Sequence, residues 1–195
     1  MNIGIDIDGV LSDNHNFCLE YGSKYCNEIG KYKIEDINSE DTTEIFKWGE
    51  DVAHDFWNKY RMTLVYQETR NFADEVIKEL RKMGHKIFII TARQNYDEWY
   101  PKEAQSHIEE ITKNWLSENG IIYDEIIFST NKNRDCLEND IKVMIEDHVQ
   151  NLESIDEKVI KYIYDNPYNR GIEIVNSKRV YSWYDILQKL KSENI

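Results

Sequence analysis

The sequence is short of positive charge and of cysteine, and each shortage excludes a kind of function. Lys and Arg number 24 against 37 Asp and Glu, so the formal net charge is −13 at pH 7. Most of such a surface repels nucleic-acid phosphates, and we expect no extended DNA or RNA as a partner, although a local basic pocket can still bind one phosphate. The three cysteines, Cys18, Cys26 and Cys136, lack the spacing of a zinc site and indicate reduced thiols in a reducing compartment.

Long apolar runs are also missing. No stretch has the number of consecutive apolar residues needed to cross a bilayer. The N-terminus lacks the basic segment and cleavage site of a signal peptide, so we expect a cytoplasmic protein with no membrane partner. Internal repeats and low-complexity linkers are absent as well, and 195 residues are enough for one domain with a core, or for such a domain with a modest insertion.

Short apolar runs alternate along the chain with segments of helical periodicity. An apolar run bounded by polar residues is typical of a buried parallel strand, and the helical segments between such runs would cover both faces of the sheet. The pattern therefore predicts an α/β fold with a parallel sheet. The predicted strands are residues 2–6, 86–93, 125–130, 141–147, 159–165 and 172–175, and the predicted helices are residues 72–83, 103–118 and 182–192.

A charged and aromatic helical segment, residues 14–66, interrupts this alternation. It is too short for an independent domain but long enough for a small helical cap over a crevice. The prediction is therefore a catalytic core of residues 1–13 and 67–195 with a cap inserted at residues 14–66. Either one or two aromatic side chains of the insertion stack on a planar ligand, or all of them pack inside the cap. These aromatic residues are Phe17, Tyr21, Phe46, Trp48, Phe56 and Trp57.

Polar side chains stand at the ends of several predicted strands. Because ligands bind beyond the carboxyl ends of parallel strands, segments far apart in sequence should meet in one crevice. Taken singly, each residue has an ordinary interpretation as a turn former, a helix cap or a solvated lysine. Together, their four carboxylates would repel one another unless a hard divalent cation bound among them. The residues are Asp6, Asp8, Thr91, Lys132, Glu146 and Asp147.

Four short motifs resemble those of the haloacid dehalogenase-like (HAD) phosphohydrolase superfamily. "DIDGV" resembles its first motif, "IIT" ending at Thr91 its second, Lys132 its third and "IED" its fourth, in the same order and with a helical insertion between the first two. "GVLSD", "TNK" and "YDNPYNRG" resemble more narrowly the 5′-nucleotidase branch, which includes 5′(3′)-deoxyribonucleotidases and related bacterial nucleotidases. The sequence departs from that branch at Glu146, where Asp is usual, and at "TAR", where a Ser-Pro continuation is usual. The resemblance implies a Rossmann-like three-layer α/β/α core with a small inserted helical cap.

The resemblance also implies a role for each motif carboxylate. Asp6 would attack phosphorus and form an aspartyl-phosphate, and Asp8 would first give a proton to the leaving oxygen and then activate water. Mg²⁺ would be bound by Asp6, by the backbone carbonyl of Asp8 and by Glu146, with Asp147 as a further or water-mediated ligand.

Other residues would bind the substrate. The resemblance implies that Thr91 and Lys132 bind the phosphoryl oxygens from the side opposite the metal. Gly9 permits the backbone turn whose N–H groups face an anion. Ala92 and Arg93 follow Thr91 and are expected to contact the substrate, with Arg93 either a second phosphate contact or a plain salt bridge.

Together these inferences predict a magnesium-dependent phosphomonoesterase that acts on a small-molecule phosphate ester, with nucleoside monophosphates as the expected substrates. A proton donor at Asp8 disfavours a dehalogenase, because that reaction has no leaving oxygen to protonate. Two alternatives stay open, namely a general small-molecule phosphatase and a non-enzymatic signalling or binding domain that accepts a phosphate. We expect a monomer or a homodimer.

Overall fold

The predicted strands lie side by side in the computed structural model, which describes residues 1–192. The strands are β1 (Asn2–Ile5), β2 (Lys86–Thr91), β3 (Glu125–Phe128), β4 (Ile141–Glu146), β5 (Ile160–Tyr164) and β6 (Ser177–Val180). They form one sheet in the order β3-β2-β1-β4-β5-β6, and every neighbouring pair is parallel. From β1 the chain forms β2 and β3 on one side of β1, and it then returns to form β4, β5 and β6 on the other side. The pair β1 and β4 is therefore the switch point at which open α/β sheets bind ligands.

Helices cover both faces of the sheet, which confirms the predicted three-layer α/β fold. The helices are α1 (Asn14–Ile29), α2 (Thr42–Phe46), α3 (Glu50–Val65), α4 (Ala73–Lys82), α5 (Lys102–Gln105), α6 (Ile108–Glu118), α7 (Lys132–Glu138), α8 (Val149–Ser154) and α9 (Trp183–Ser192), with a short 3-10 helix at Pro167–Asn169. Side chains of β2 alternate between two hydrophobic clusters, since Ile87 and Ile89 join α4, α6 and α9 whereas Phe88 and Ile90 join α7. Within residues 1–192, no helix has both the length and the apolar character that a membrane span requires.

Helices α1, α2 and α3 lie between β1 and α4 and share a hydrophobic cluster of their own. Four of the six aromatic side chains singled out in the sequence are buried there, and Tyr21 and Trp57 pack against its edge. The four buried residues are Phe17, Phe46, Trp48 and Phe56. Of the two alternatives for the aromatic residues, stacking on a ligand or packing within the insertion, packing within the insertion is therefore correct for these four. The limits 14–66 and the function of the segment as a cap stay predictions.

Two elements differ from the sequence prediction. Residues 172–175, predicted as a strand, are irregular, and the sixth strand lies at Ser177–Val180. Asn176 adopts a left-handed φ of 55° before this edge strand, and only the last side chain of the strand is buried, so no apolar run marks it. The helix predicted at residues 103–118 is two helices, α5 and α6, because the chain leaves the helical conformation at His107, where φ is −130°.

We expect Gly22→Ala to destabilise the protein. Gly22 lies in α1, where an added β-carbon would come within 2.3 Å of Cε2 of the Phe46 ring. Alanine would raise helix propensity by about 1 kcal/mol, whereas overpacking around a buried ring costs roughly 1–3 kcal/mol. Because the contact is so close, the overpacking cost should prevail, and urea denaturation should show a loss of about 1–2 kcal/mol in the free energy of unfolding.

The matched control is Ser23→Ala at the next position of the same helix, where the side chain is exposed. This variant adds helix propensity without the collision, so its free energy of unfolding should stay the same or rise slightly. Equal effects of the two substitutions would contradict the close packing of α1 against α2.

Candidate active site

The segments singled out in the sequence meet at the carboxyl ends of neighbouring strands. Asp6 follows β1, Thr91 is the last residue of β2, and Glu146 is the last residue of β4. Ile5 pairs with Ile145, and the backbone N–H of Asp6 donates to the carbonyl of Ile145 at 3.0 Å. Asp6 and Glu146 therefore stand at the same level of the sheet, at its switch point.

Asp6, Glu146 and Asp147 form a buried group that we call the carboxylate cluster. One carboxylate oxygen of each residue lies within 4.8 Å of those of the other two. Burial raises the pKa of Asp6 to about 7, with the charges of Glu146 and Asp8 adding to the rise. Burial and the same kind of repulsion also raise the pKa of Asp147 well above its ordinary value. The cluster thus binds protons readily when no other cation compensates its charge.

Lys132 is the cation inside the carboxylate cluster. It is the first residue of α7, and its Nζ donates to Oδ1 of Asp6 at 2.6 Å and to Oε2 of Glu146. Burial alone would lower the pKa of this ammonium, but the two carboxylates raise it overall. Burial would likewise raise the pKa of Glu146, but Lys132 lowers it overall. Lys132 is therefore charged and compensates two of the three carboxylates.

Asp147 keeps one oxygen free. Its Oδ1 is buried without a hydrogen-bond partner, whereas its Oδ2 accepts from the phenol of Tyr168 and from Nδ2 of Asn166 at 3.3 Å. A buried oxygen without a partner is costly, and hard divalent cations bind carboxylate oxygens of this kind. The residues present therefore fit a divalent metal ion.

The side chain of Asp8 is paired with Arg93 and does not belong to the carboxylate cluster. Its Oδ2 accepts from Nε of Arg93 at 2.8 Å, and its Oδ1 accepts from Nη2 of Arg93 at 2.5 Å and from Nδ2 of Asn14 at 3.1 Å. Desolvation would raise the pKa of Asp8, but the Arg93 guanidinium lowers it overall. Of the two roles considered for Arg93, the ion pair is present, and direct contact with a substrate stays a prediction.

Residues 166–169 contact Asp147 from one side, although the sequence analysis assigned them no role. Besides its bond to Asp147, Asn166 donates to the carbonyl of Gly9 at 3.0 Å, and Nδ2 of Asn169 donates to the carbonyl of Asp147 at 2.8 Å. Burial and the neighbouring Asp147 raise the pKa of Tyr168, so its phenol stays a donor. The only signal in the sequence is "YDNPYNRG", which carries the nucleotidase resemblance without indicating a role.

Gly9 allows Asp147 to approach the first strand. Its φ is 90°, in the left-handed region that glycine adopts without strain. A β-carbon here would lie 1.9 Å from Oδ2 of Asp147. Any side chain at this position would therefore displace a residue of the carboxylate cluster.

A pocket of about 320 Å³ opens beside Asp8. The insertion contributes Asn14, Arg61 and Val65 to its lining, and the core contributes Asp8, Ala92 and Arg93. Thr91 is buried next to this wall, where its Oγ1 accepts from the backbone N–H of Arg93 at 3.3 Å. The aromatic part of the lining comes from Trp99 and Tyr100, which follow β2, and not from the insertion.

Comparison with known sequences gives a family match over nearly the whole chain. The model of the family described as "5′ nucleotidase, deoxy (Pyrimidine), cytosolic type C protein" matches residues 1–193. Two similar proteins are described as "Putative nucleotidase". One, from Bacillus cereus, is 29% identical and covers 99% of this chain and 100% of its own length. The other, from Bacillus subtilis, is 24% identical and covers 96% of this chain and 92% of its own length.

Solved structures share the fold. A HAD-superfamily hydrolase from Geobacter sulfurreducens superposes with a TM-score of 0.58 at 14% identity, covering 97% of this chain and 95% of its own. A hydrolase from Streptococcus pneumoniae superposes with a TM-score of 0.57 at 12% identity, covering 100% of this chain and 98% of its own. At such low identity, these structures confirm the predicted Rossmann-like α/β fold and nothing finer.

We expect Mg²⁺ to stabilise the protein, and the stabilisation to grow with pH. Because their folded pKa values are raised, Asp6 and Asp147 favour the folded state at low pH, and for Asp6 this contribution is lost as the pH rises from 3.8 to about 7. Mg²⁺ binds the deprotonated carboxylates, so it offsets this loss most at high pH. The rise in Tm on adding Mg²⁺ should be larger at about pH 8 than at about pH 5.

Asp147→Asn should remove most of this Mg²⁺-dependent rise in Tm. Asp140→Asn is the matched control, since Asp140 is an exposed carboxylate just before β4, and it should keep the rise. A Mg²⁺ effect that is independent of pH, or that survives in Asp147→Asn, would show that the metal binds elsewhere.

Proposed function

The chain belongs to the 5′ nucleotidase, deoxy (pyrimidine), cytosolic type C family, and from this premise we propose that it hydrolyses nucleoside monophosphates with the help of Mg²⁺. It is a phosphohydrolase of the HAD superfamily. One observation above all supports the proposal. Lys132 is hydrogen-bonded to the carboxylate cluster, the cluster keeps a buried oxygen without a partner, and Asp8, two residues after Asp6, lines an open pocket.

In the first step, a carboxylate oxygen of Asp6 attacks phosphorus. The bond between phosphorus and the ester oxygen breaks, and Asp8 gives its proton to that oxygen, which leaves as an alcohol. Arg93 lowers the pKa of Asp8 in the free enzyme. The negative charge of a bound phosphate would oppose this effect and favour the protonated form that the step requires.

In the second step, a water molecule attacks the phosphorus of the aspartyl-phosphate. Asp8, now ionised, takes a proton from this water, and the bond to Asp6 breaks to release inorganic phosphate. The ion pair with Arg93 favours the ionised form of Asp8, so the same contact that opposes the first step assists the second. Asn14 orients the carboxylate through its bond to Oδ1.

Asp6 and Asp147 would hold the metal ion, with Glu146 next to them. Asp147 supplies the free oxygen, whereas Oε1 of Glu146 accepts from the backbone N–H groups of Asp147 and His148, both at 2.9 Å. We therefore assign Asp147 as a direct ligand. When bound, Mg²⁺ would neutralise negative charge on the phosphoryl oxygens. Thr91 and Lys132 would contact these oxygens from the other side.

Residues 14–66 would act as a cap over this site. The proposal is supported by the mixed lining of the pocket and by two contacts between insertion and core. Nη1 of Arg93 donates to the carbonyl of Val65 at 3.4 Å, and Nε2 of His148 lies 3.4 Å from Oε2 of Glu40. A cap in this position would exclude water from the first step.

Asp6→Asn should abolish measurable turnover, with kcat at least roughly a thousandfold below that of the wild type, because an amide cannot act as the nucleophile. Asp8→Asn is the matched comparison. With p-nitrophenyl phosphate, whose leaving group needs no proton, Asp8→Asn should release a burst of about one p-nitrophenol per enzyme and then turn over about 10²–10⁴-fold more slowly than the wild type. Near-normal rates in Asp6→Asn, or no burst in Asp8→Asn, would refute these roles.

A substrate panel tests the nucleotidase assignment. With Mg²⁺, nucleoside 5′-monophosphates should have a kcat/KM at least about tenfold above that of sugar phosphates of similar size, since contacts to a base contribute about 1–3 kcal/mol. Excess chelator should remove the activity. Equal efficiency in both classes would instead indicate a general small-molecule phosphatase, and phosphorylation without turnover would indicate a signalling domain.

A further inference from the structure

Arg61 stands apart from the other cations near the pocket, because no acidic group in the described part of the chain pairs with it. It lies in α3, and its Cζ is 3.9 Å from the centroid of the Trp99 ring and 5.1 Å from that of the Trp57 ring. Its Nη1 is buried without a hydrogen-bond partner. Within residues 1–192, its guanidinium makes no ion pair, and burial lowers the pKa of Arg61. Arg61 as a whole is half-buried, and a buried N–H group without an acceptor is costly unless a ligand provides one.

The position of Arg61 suggests which part of a substrate it would meet. Arg61 and Trp99 line the same pocket as Asp8 and Arg93, so a substrate whose phosphate lies at the carboxylate cluster would extend past Asp8 toward them. Leu64 and Val65 add apolar surface to this lining. Two indole rings contact the guanidinium, and its N–H groups are left to bind acceptors near the guanidinium plane. Such a lining fits a flat ring with acceptor atoms on its edge.

A second phosphate or a carboxylate fits the pocket less well than a neutral acceptor. Asp8 and Asp97 line the same pocket as Arg61 and Arg93, so the two carboxylates balance the two guanidinium groups and leave no surplus positive charge for another anion. Asp97 also accepts from the backbone N–H of Trp99 at 2.9 Å, which fixes the loop that carries the indole. The carbonyl oxygens and ring nitrogens of a nucleobase accept hydrogen bonds without adding a full negative charge.

We propose that Arg61 is the residue that recognises the nucleobase, donating hydrogen bonds to its carbonyl oxygens or ring nitrogens while Trp99 holds the guanidinium in place. This inference rests on the proposed function and deepens it. It assigns base recognition to one arginine of the insertion and one tryptophan of the core, and not to stacking on the six aromatic residues of the insertion.

The test compares a nucleotide with the same phosphate ester lacking a base. We would measure kcat/KM for uridine 5′-monophosphate and for ribose 5-phosphate in the wild type, in Arg61→Met and in Lys59→Met. Lys59 is the matched control, because it lies on the same helix but pairs with Glu28 at 2.6 Å on the exposed surface. Arg61→Met should decrease the ratio of the two efficiencies by about tenfold or more, since hydrogen bonds to charged groups discriminate on this scale. Lys59→Met should keep the wild-type ratio.

Several results would overturn the inference, and they separate it from the proposed function. If Arg61→Met keeps the preference for uridine 5′-monophosphate, or loses the same efficiency on both substrates, then Arg61 does not recognise the base. Either result rejects this inference and leaves the proposed function untouched. A wild type that hydrolyses neither compound rejects the proposed function and this inference together. If a nucleoside 3′,5′-bisphosphate is the best substrate and loses its advantage in Arg61→Met, then Arg61 binds a second anion and not the base.

Discussion

The site depends on one constraint, namely that three carboxylates are buried together at the ends of adjacent strands. Their mutual repulsion would favour protonation or opening of the protein if nothing compensated it. Lys132 compensates Asp6 and Glu146, and hydrogen bonds from Tyr168 and Asn166 stabilise one oxygen of Asp147. The start of α7 and the 3-10 helix that follows β5 are both positioned to supply these partners. The remaining oxygen has no hydrogen-bond partner within the described residues, and this supports the proposed metal site.

The division between core and insertion follows from how each uses its aromatic residues. The insertion buries most of its rings against one another, which lets a small group of helices form a hydrophobic cluster separate from that of the sheet. Its contribution to the pocket is therefore made mainly by side chains outside this cluster, namely Asn14 of α1 and Arg61 and Val65 of α3. The rings that face the pocket, Trp99 and Tyr100, come from the loop after β2. The proposed catalytic residues and the proposed base-recognition residues would therefore meet along the boundary between the insertion and the rest of the chain.

The sequence predicts the strand ends well and the contacts between distant loops poorly. Asp6, Thr91 and Glu146 were placed correctly because buried parallel strands leave a plain signal, an apolar run that stops at a polar residue. The polar edge strand at Ser177–Val180 leaves no such run. The bond from Tyr168 to Asp147 joins residues 21 positions apart through a turn, and no periodicity encodes it. For Arg93 the sequence left open a salt bridge or a phosphate contact; the structure shows an ion pair with Asp8, whose identity as the partner no sequence pattern indicates.

The pairing of β1 with β4 has a consequence for how reproducibly the site is built. Neighbouring strands are spaced about 4.8 Å apart by their backbone hydrogen bonds, and Ile5 pairs with Ile145 directly before Asp6 and Glu146. The separation of the two backbones that carry these carboxylates is therefore set by the sheet, whose spacing hardly varies. The sheet thus fixes how far apart the backbones of Asp6 and Glu146 lie. Insertions elsewhere in the chain could change the size of the loops or of the proposed cap without changing this separation.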